Sequence, residues 1–172
     1  MPRVAAWSPD GKSVFYCHVS GPIFLKDLES GVEKQIYPKG GVFALSPDGR
    51  WLAVSSHDPV AKTDALLLVP VEGGTPRELL RLPEPGVFNF GMAWSADGRH
   101  VLFVRPRSNF SKGELWRVAV DSGESSPVGL VMDGLSDVRV HPDGRRIAFV
   151  GGPLKSEVWV MENFLPGLRA GR

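Results

Sequence analysis

Short apolar runs alternate with polar, turn-forming clusters along the whole chain, at a spacing that suits strands rather than helices. Four runs precede a repeated corner phrase: Val4–Trp7, Val42–Leu45, Gly91–Trp94 and Asp137–Val140. Four more follow it: Ser13–Cys17, Trp51–Ser55, His100–Val104 and Arg146–Val150. A third set comes next, at Ile23–Leu28, Ala65–Val71, Glu114–Val120 and Glu157–Met161. The first three units add a fourth run each, at Glu33–Tyr37, Pro76–Arg81 and Ser126–Leu130. The runs predict strands a, b, c and d of an antiparallel sheet. No helix-period pattern competes, and 20 Gly with 15 Pro punctuate the chain at strand spacing.

The corner phrase is Ser8-Pro9-Asp10-Gly11, Ser46-Pro47-Asp48-Gly49, Ser95-Ala96-Asp97-Gly98 and His141-Pro142-Asp143-Gly144. Pro presets φ, Asp bonds nearby amides, and Gly takes the positive φ that a hairpin with a bulge requires. A second corner of acidic residue, small residue and Gly joins c to d at Glu29-Ser30-Gly31, Glu72-Gly73-Gly74 and Asp121-Ser122-Gly123. Recurrence at roughly 40–50 residues marks a repeat architecture. The a strands carry apolar residues on both sides, such as Ala5, Ala6 and Trp7, so each sheet is covered on both faces. Four-stranded sheets repeated in series and buried on both faces describe propeller blades. The fold class is therefore all-β, one propeller domain with blades about 3–38, 41–82, 90–131 and 136–165.

Composition narrows the function classes. A chain of 172 residues buries roughly 70% of its unfolded surface, enough for a short repeat array. The net charge of +1, with Lys and Arg scattered, gives no electrostatic reason to expect nucleic acid or an anionic membrane as partner. No apolar run approaches the roughly 20 residues of a membrane helix. Cys17 is the single cysteine, within an apolar strand, and reads as a buried, inert thiol. With a strand beginning near Val4, no signal peptide is read, so the expected location is the cytoplasm; a periplasmic one follows if the chain is part of an exported protein.

The corner phrase, Glu114-Leu115-Trp116, Glu157-Val158-Trp159 and the run Trp159-Val160-Met161-Glu162-Asn163-Phe164-Leu165-Pro166 resemble TolB-like, WD40-like β-propeller repeats of bacterial proteins. The resemblance spans nearly the whole chain and implies the fold. It leaves function open, because such propellers include interaction scaffolds, periplasmic partners of lipoproteins, and modules fused to peptidases or kinases.

Blade four is shorter than its siblings, since Asn163-Phe164-Leu165-Pro166 stands where the second corner is expected. An open arc leaves an apolar face at each end, and soluble monomers seldom leave such faces bare. Three outcomes are consistent with this. The four blades close on themselves, two chains join head to tail as a homodimeric eight-bladed ring, or the chain is a C-terminal piece of a larger propeller. Arg139 stands where the other blades have Ala6, Ala44 and Ala93, and Asp137 where they have Val4, Val42 and Gly91. Both are expected at a wet central channel or a blade junction.

Alternating strand direction puts the a–b and c–d corners on one face and the more individual loops on the other. Irregular loops on a rigid scaffold gather binding residues. The loops at His57–Asp64, Pro83–Asn89, Arg105–Lys112 and Gly151–Lys155 make this the candidate binding face. Its candidates are Phe88, Asn89, Phe90, Arg105, Arg107, Asn109, Phe110 and Lys112, of the types enriched at protein interfaces.

No G-x-S-x-G elbow, P-loop or G-x-G-x-x-G is present. Ser55-Ser56-His57-Asp58 has the residue types of a triad, but neighbours on a strand point in alternating directions. His18 and His57 fall at equivalent b-strand ends of adjacent blades, without the close spacings of a metal site. The expectation is a noncatalytic scaffold with no metal or cofactor. It binds a protein or peptide partner through the loop face and self-associates. Two alternatives stay open: a small-molecule or lyase-type site on the axis, and a propeller fragment of a sensor, kinase-linked or transport protein.

Overall fold

The computed structural model describes residues 2–18, 21–84, 91–107 and 112–152. Blade one is β1 (Pro2–Trp7), β2 (Ser13–His18), β3 (Ile23–Asp27) and β4 (Glu33–Tyr37). Blade two is β5 (Phe43–Leu45), β6 (Trp51–Asp58), β7 (Thr63–Pro70) and β8 (Arg77–Pro83). Blade three is β9 (Met92–Trp94), β10 (His100–Arg107), β11 (Lys112–Ala119) and β12 (Ser125–Asp133). Blade four shows β13 (Ser136–Val140) and β14 (Ile147–Val150), and its expected third strand, Glu157–Met161, lies outside the described residues. Each sheet is antiparallel with strands in chain order, the all-β propeller fold expected from the repeat.

The corner phrase folds the same way four times. Gly11, Gly49, Gly98 and Gly144 donate their amides to the carbonyls of Ser8, Ser46, Ser95 and His141 at 2.9 Å. These glycines have φ of 71°, 73°, 68° and 69°, the region open to Gly at no steric cost. Asp48 Oδ1 accepts from the Ser46 hydroxyl at 2.6 Å and from the Arg50 amide at 3.0 Å. Asp10 and Asp97 repeat the pair with Ser8 and Ser95. In blade four His141 replaces the serine, and the Asp143 amide donates to its Nδ1 at 3.2 Å.

Corners of successive blades interlock. A Cβ added to Gly49 would lie 2.9 Å from Pro9 Cδ, and one added to Gly144 would lie 3.2 Å from Ala96 Cβ. The second residue of one corner therefore nests on the glycine of the next. Among the described residues, Gly11 has no such neighbour within 4 Å.

Apolar side chains fill the gaps between blades. Phe15, Cys17, Ile23 and Tyr37 meet Phe43, Leu52, Val54 and Val69 between blades one and two. Ala53, Leu66, Leu68 and Leu79 meet Met92, Trp94, Val101, Phe103 and Val118 between blades two and three. Val104 and Leu115 meet Leu135 and Val138 between blades three and four. Polar bonds reinforce two junctions: Trp94 Nε1 donates to the Ala44 carbonyl at 2.9 Å, and Lys34 Nζ to the Glu72 carbonyl at 3.2 Å.

The arc is open. Trp7, on the free face of blade one, is 61% exposed, and Ile147, Phe149 and Val150 of blade four are exposed as well. Closure of four blades on themselves, one of the three outcomes considered from sequence, would bury Trp7 and fill the space over Gly11.

Candidate binding groove on the propeller axis

The inner strands β1, β5, β9 and β13 stand side by side and enclose a groove of about 1200 Å³ along the axis. Strand direction gives it two ends. The corner end carries Pro9, Pro47, Ala96 and Pro142, with Trp7 and His141 beside them. The loop end carries His18, Lys39, Ser56, His57, Asp64 and Asp137, while Arg139 lines the wall nearer the corners. One end is lined by prolines and an indole, the other by charges of both signs.

Asp137 has φ of 48°, one of two non-glycine residues with positive φ among those described. The bend lies at a close packing contact. A Cβ added to Gly91, just before the neighbouring inner strand, would lie 2.9 Å from the Asp137 amide nitrogen. The backbones of blades three and four thus touch, and the ladder of β13 with β14 shifts register between Ser136 and Arg139. Asp tolerates this conformation better than most residues. Both Asp137 and Arg139 border the groove and are exposed.

On blade two, Asp64 is buried, and His57 Nδ1 lies 2.9 Å from its Oδ1. The other ring nitrogen, Nε2, lies 3.4 Å from Glu84 Oε1. This cluster was invisible from sequence because strand b was expected to stop at Ser55. In fact β6 runs to Asp58 and pairs His57 directly with Asp64. Ser55 is committed to structure, since its hydroxyl accepts from the Val42 amide at 2.9 Å.

Arg105, Arg107 and Lys112 lie on strands, a correction to their reading as loop residues. Ladder pairing continues through Arg105 with Glu114 and Arg107 with Lys112, because polar residues at a sheet's outer end pair as readily as apolar ones. The Arg105 guanidinium sits 4.5 Å over the Trp116 ring, and Arg107 Nε is 3.2 Å from Glu114. Phe88, Asn89, Phe90, Asn109 and Phe110 lie outside the described residues. Among the described residues, no three His, Cys, Asp or Glu side chains stand close enough to hold a metal ion.

The family profile of the lipoprotein LpqB β-propeller domain matches residues 34–162. The chain belongs to that family. Solved structures agree on the β-propeller fold. TolB from Acinetobacter baumannii is 20% identical with a TM-score of 0.74, over 91% of this chain and 39% of that one. A putative TolB from Agrobacterium tumefaciens is 24% identical with a TM-score of 0.65, over 88% of this chain and 54% of that one. An uncharacterized protein of Agrobacterium fabrum is 41% identical over 56 residues, 29% of this chain and 19% of its own. The LpqB-type chain thus spans about half or less of the relatives it matches.

Proposed function

We propose that this LpqB-type propeller is a noncatalytic scaffold that binds a protein or peptide partner at the loop end of its axial groove. The observation that carries the reading is the groove itself. It is an open, preformed concavity whose loop end mixes Lys39 and Asp137 with the His57–Asp64 pair. Charges of both signs on a rigid frame suit selective polar recognition. The same side chains are poorly placed for acyl chemistry. Ser55 is held by a backbone amide, and both nitrogens of His57 face carboxylates, so no hydroxyl is presented to a free base.

The family takes its name from a lipoprotein, which supports a place at the cell envelope rather than the cytoplasm expected from sequence. Among the described residues no helix is long and apolar enough to cross a membrane.

A photocrosslinking amino acid introduced in living cells tests the reading. Probes at Lys39 and Arg107, on the loop side, are expected to yield adducts of one defined mass. Probes at Arg50 and Arg99, beside the corners, are expected to yield none. Equal labelling of both sides, or adducts from the corner side only, would sink it.

A further inference from the structure

We propose that the junction of blades one and two holds a binding site for a carboxylate, in a hollow at the junction's loop-side mouth. The hollow lies off the axial groove, whose loop end shares Lys39 and Ser56 with it. It does not require that groove to be a partner site. Both of its walls belong to blades of this chain, so they do not depend on what stands beyond either end.

The next junction shows what a filled mouth looks like. Ser56 and Asp58 stand eight and ten residues after Asp48, as Arg105 and Arg107 stand after Asp97. Ser56 pairs with Ala65 as Arg105 pairs with Glu114, and Val54 with Leu67 as Phe103 with Trp116. Ala65 and Leu67 are thus the counterparts of Glu114 and Trp116. Between blades two and three the large side chains occupy one another. The Arg105 guanidinium lies over the Trp116 ring, and Arg107 pairs with Glu114. Between blades one and two, serine, alanine and leucine stand in their places and leave a hollow of about 340 Å³.

Three polar groups on its walls are uncommitted. Tyr37, at the end of β4, is only 8% exposed, yet its hydroxyl has no hydrogen-bond partner among the described residues. Its counterpart at the next junction is Leu80, since Tyr37 pairs with Ile23 as Leu80 pairs with Leu66, so packing alone does not call for a hydroxyl. The Ser56 hydroxyl and the Lys39 ammonium also lack partners among the described residues. The remaining charges are engaged. Arg81 donates to Glu78 and to Thr63 Oγ1, Asp58 Oδ1 accepts from the Val60 and Ala61 amides, and His57 lies between Asp64 and Glu84. Two hydroxyl donors and one unpaired cation over Ala65 and Leu67 suit a singly charged carboxylate on a short aliphatic stem. A free organic acid and an acidic side chain of another protein carry that same group.

Amide NMR of the isotopically labelled chain, at constant ionic strength, reads the binding of three probes. These are butyrate, glutamate capped as an amide at both ends, and glutamine capped in the same way. Saturable shifts at Tyr37, Lys39 and Ser56 are expected with an acid and not with capped glutamine. Tyr37→Phe keeps the ring in the core and is expected to weaken binding about tenfold, the loss of one hydrogen bond to a charged group. Ser56→Arg with Leu67→Trp copies the filled junction and is expected to abolish binding while β circular dichroism is kept. Should that pair fail to fold, Lys39→Met, at an exposed position, carries the test by losing the preference for acid over amide. Saturation by butyrate alone supports the site with a free acid as ligand, and saturation by capped glutamate, with or without butyrate, supports it with a protein side chain. No saturable shift with either acid, equal binding of capped glutamine, or a Tyr37→Phe variant that binds like wild type would each overturn the proposal.

Discussion

Aspartate does the same job at every corner, and the job makes it acidic. Hydrogen bonds from the Ser46 hydroxyl, then the Arg50 amide, favour the ionised form of Asp48 and hold its carboxyl below the ordinary range. Asp10 and Asp97 are lowered in the same way, led by Ser8 and Ser95. Asp143 is lowered chiefly by the Arg145 amide. A carboxylate whose folded pKa is depressed stabilises the fold above its unfolded value, and that contribution is lost as pH falls through the folded one. Asp48→Asn is therefore expected to lower the urea midpoint near neutrality, with the gap to wild type closing below about pH 4. A gap of constant size from neutral to acid would show that charge plays no part. The corner was legible in sequence because everything it needs lies within six residues. The bend at Asp137 was not. It faces Gly91 on another blade, and nothing near Asp137 in the chain signals that contact.

At the scale of the element, the b and c strands of blades two and three bury one side against the preceding blade and the other against the next. Phe103 is fully buried in the junction of blades two and three. Phe103→Ala is expected to cost about 3–5 kcal/mol, since the cavity can collapse only partly. Val60, at the exposed tip of the hairpin joining β6 to β7, is 92% exposed, and Val60→Ser is expected to stay within about 0.5 kcal/mol. Urea denaturation measures both; similar losses at the two sites would contradict the assigned cores. Apolar runs revealed which strands exist but not how far they reach. The outer ends of β6, β10 and β11 are His57, Asp58, Arg107 and Lys112, held by backbone pairing that hydrophobic pattern does not report.

For the whole molecule, junctions matter more than blades, because each repeat touches only its neighbours. Gly49→Ala and Gly11→Ala place a methyl group at equivalent corners with nearly equal φ. Both pay the backbone cost of about 1–2 kcal/mol. Gly49→Ala also drives into Pro9, so it is expected to destabilise more, and equal thermal shifts would refute the interlock. The axial groove belongs to this scale too. Its two ends were expected from strand direction, yet the pairing of His57 with Asp64 needed the full length of β6 to be seen.

The proline-on-glycine corner also gives the array a grain. Three units offer a proline tooth and blade three an alanine, Ala96, each with a glycine notch, so a duplicated unit spliced into the series can mesh with its neighbours. Such chains can therefore gain or shed whole units during descent without redesigning a core, which is one physical route to relatives of very different length sharing one fold.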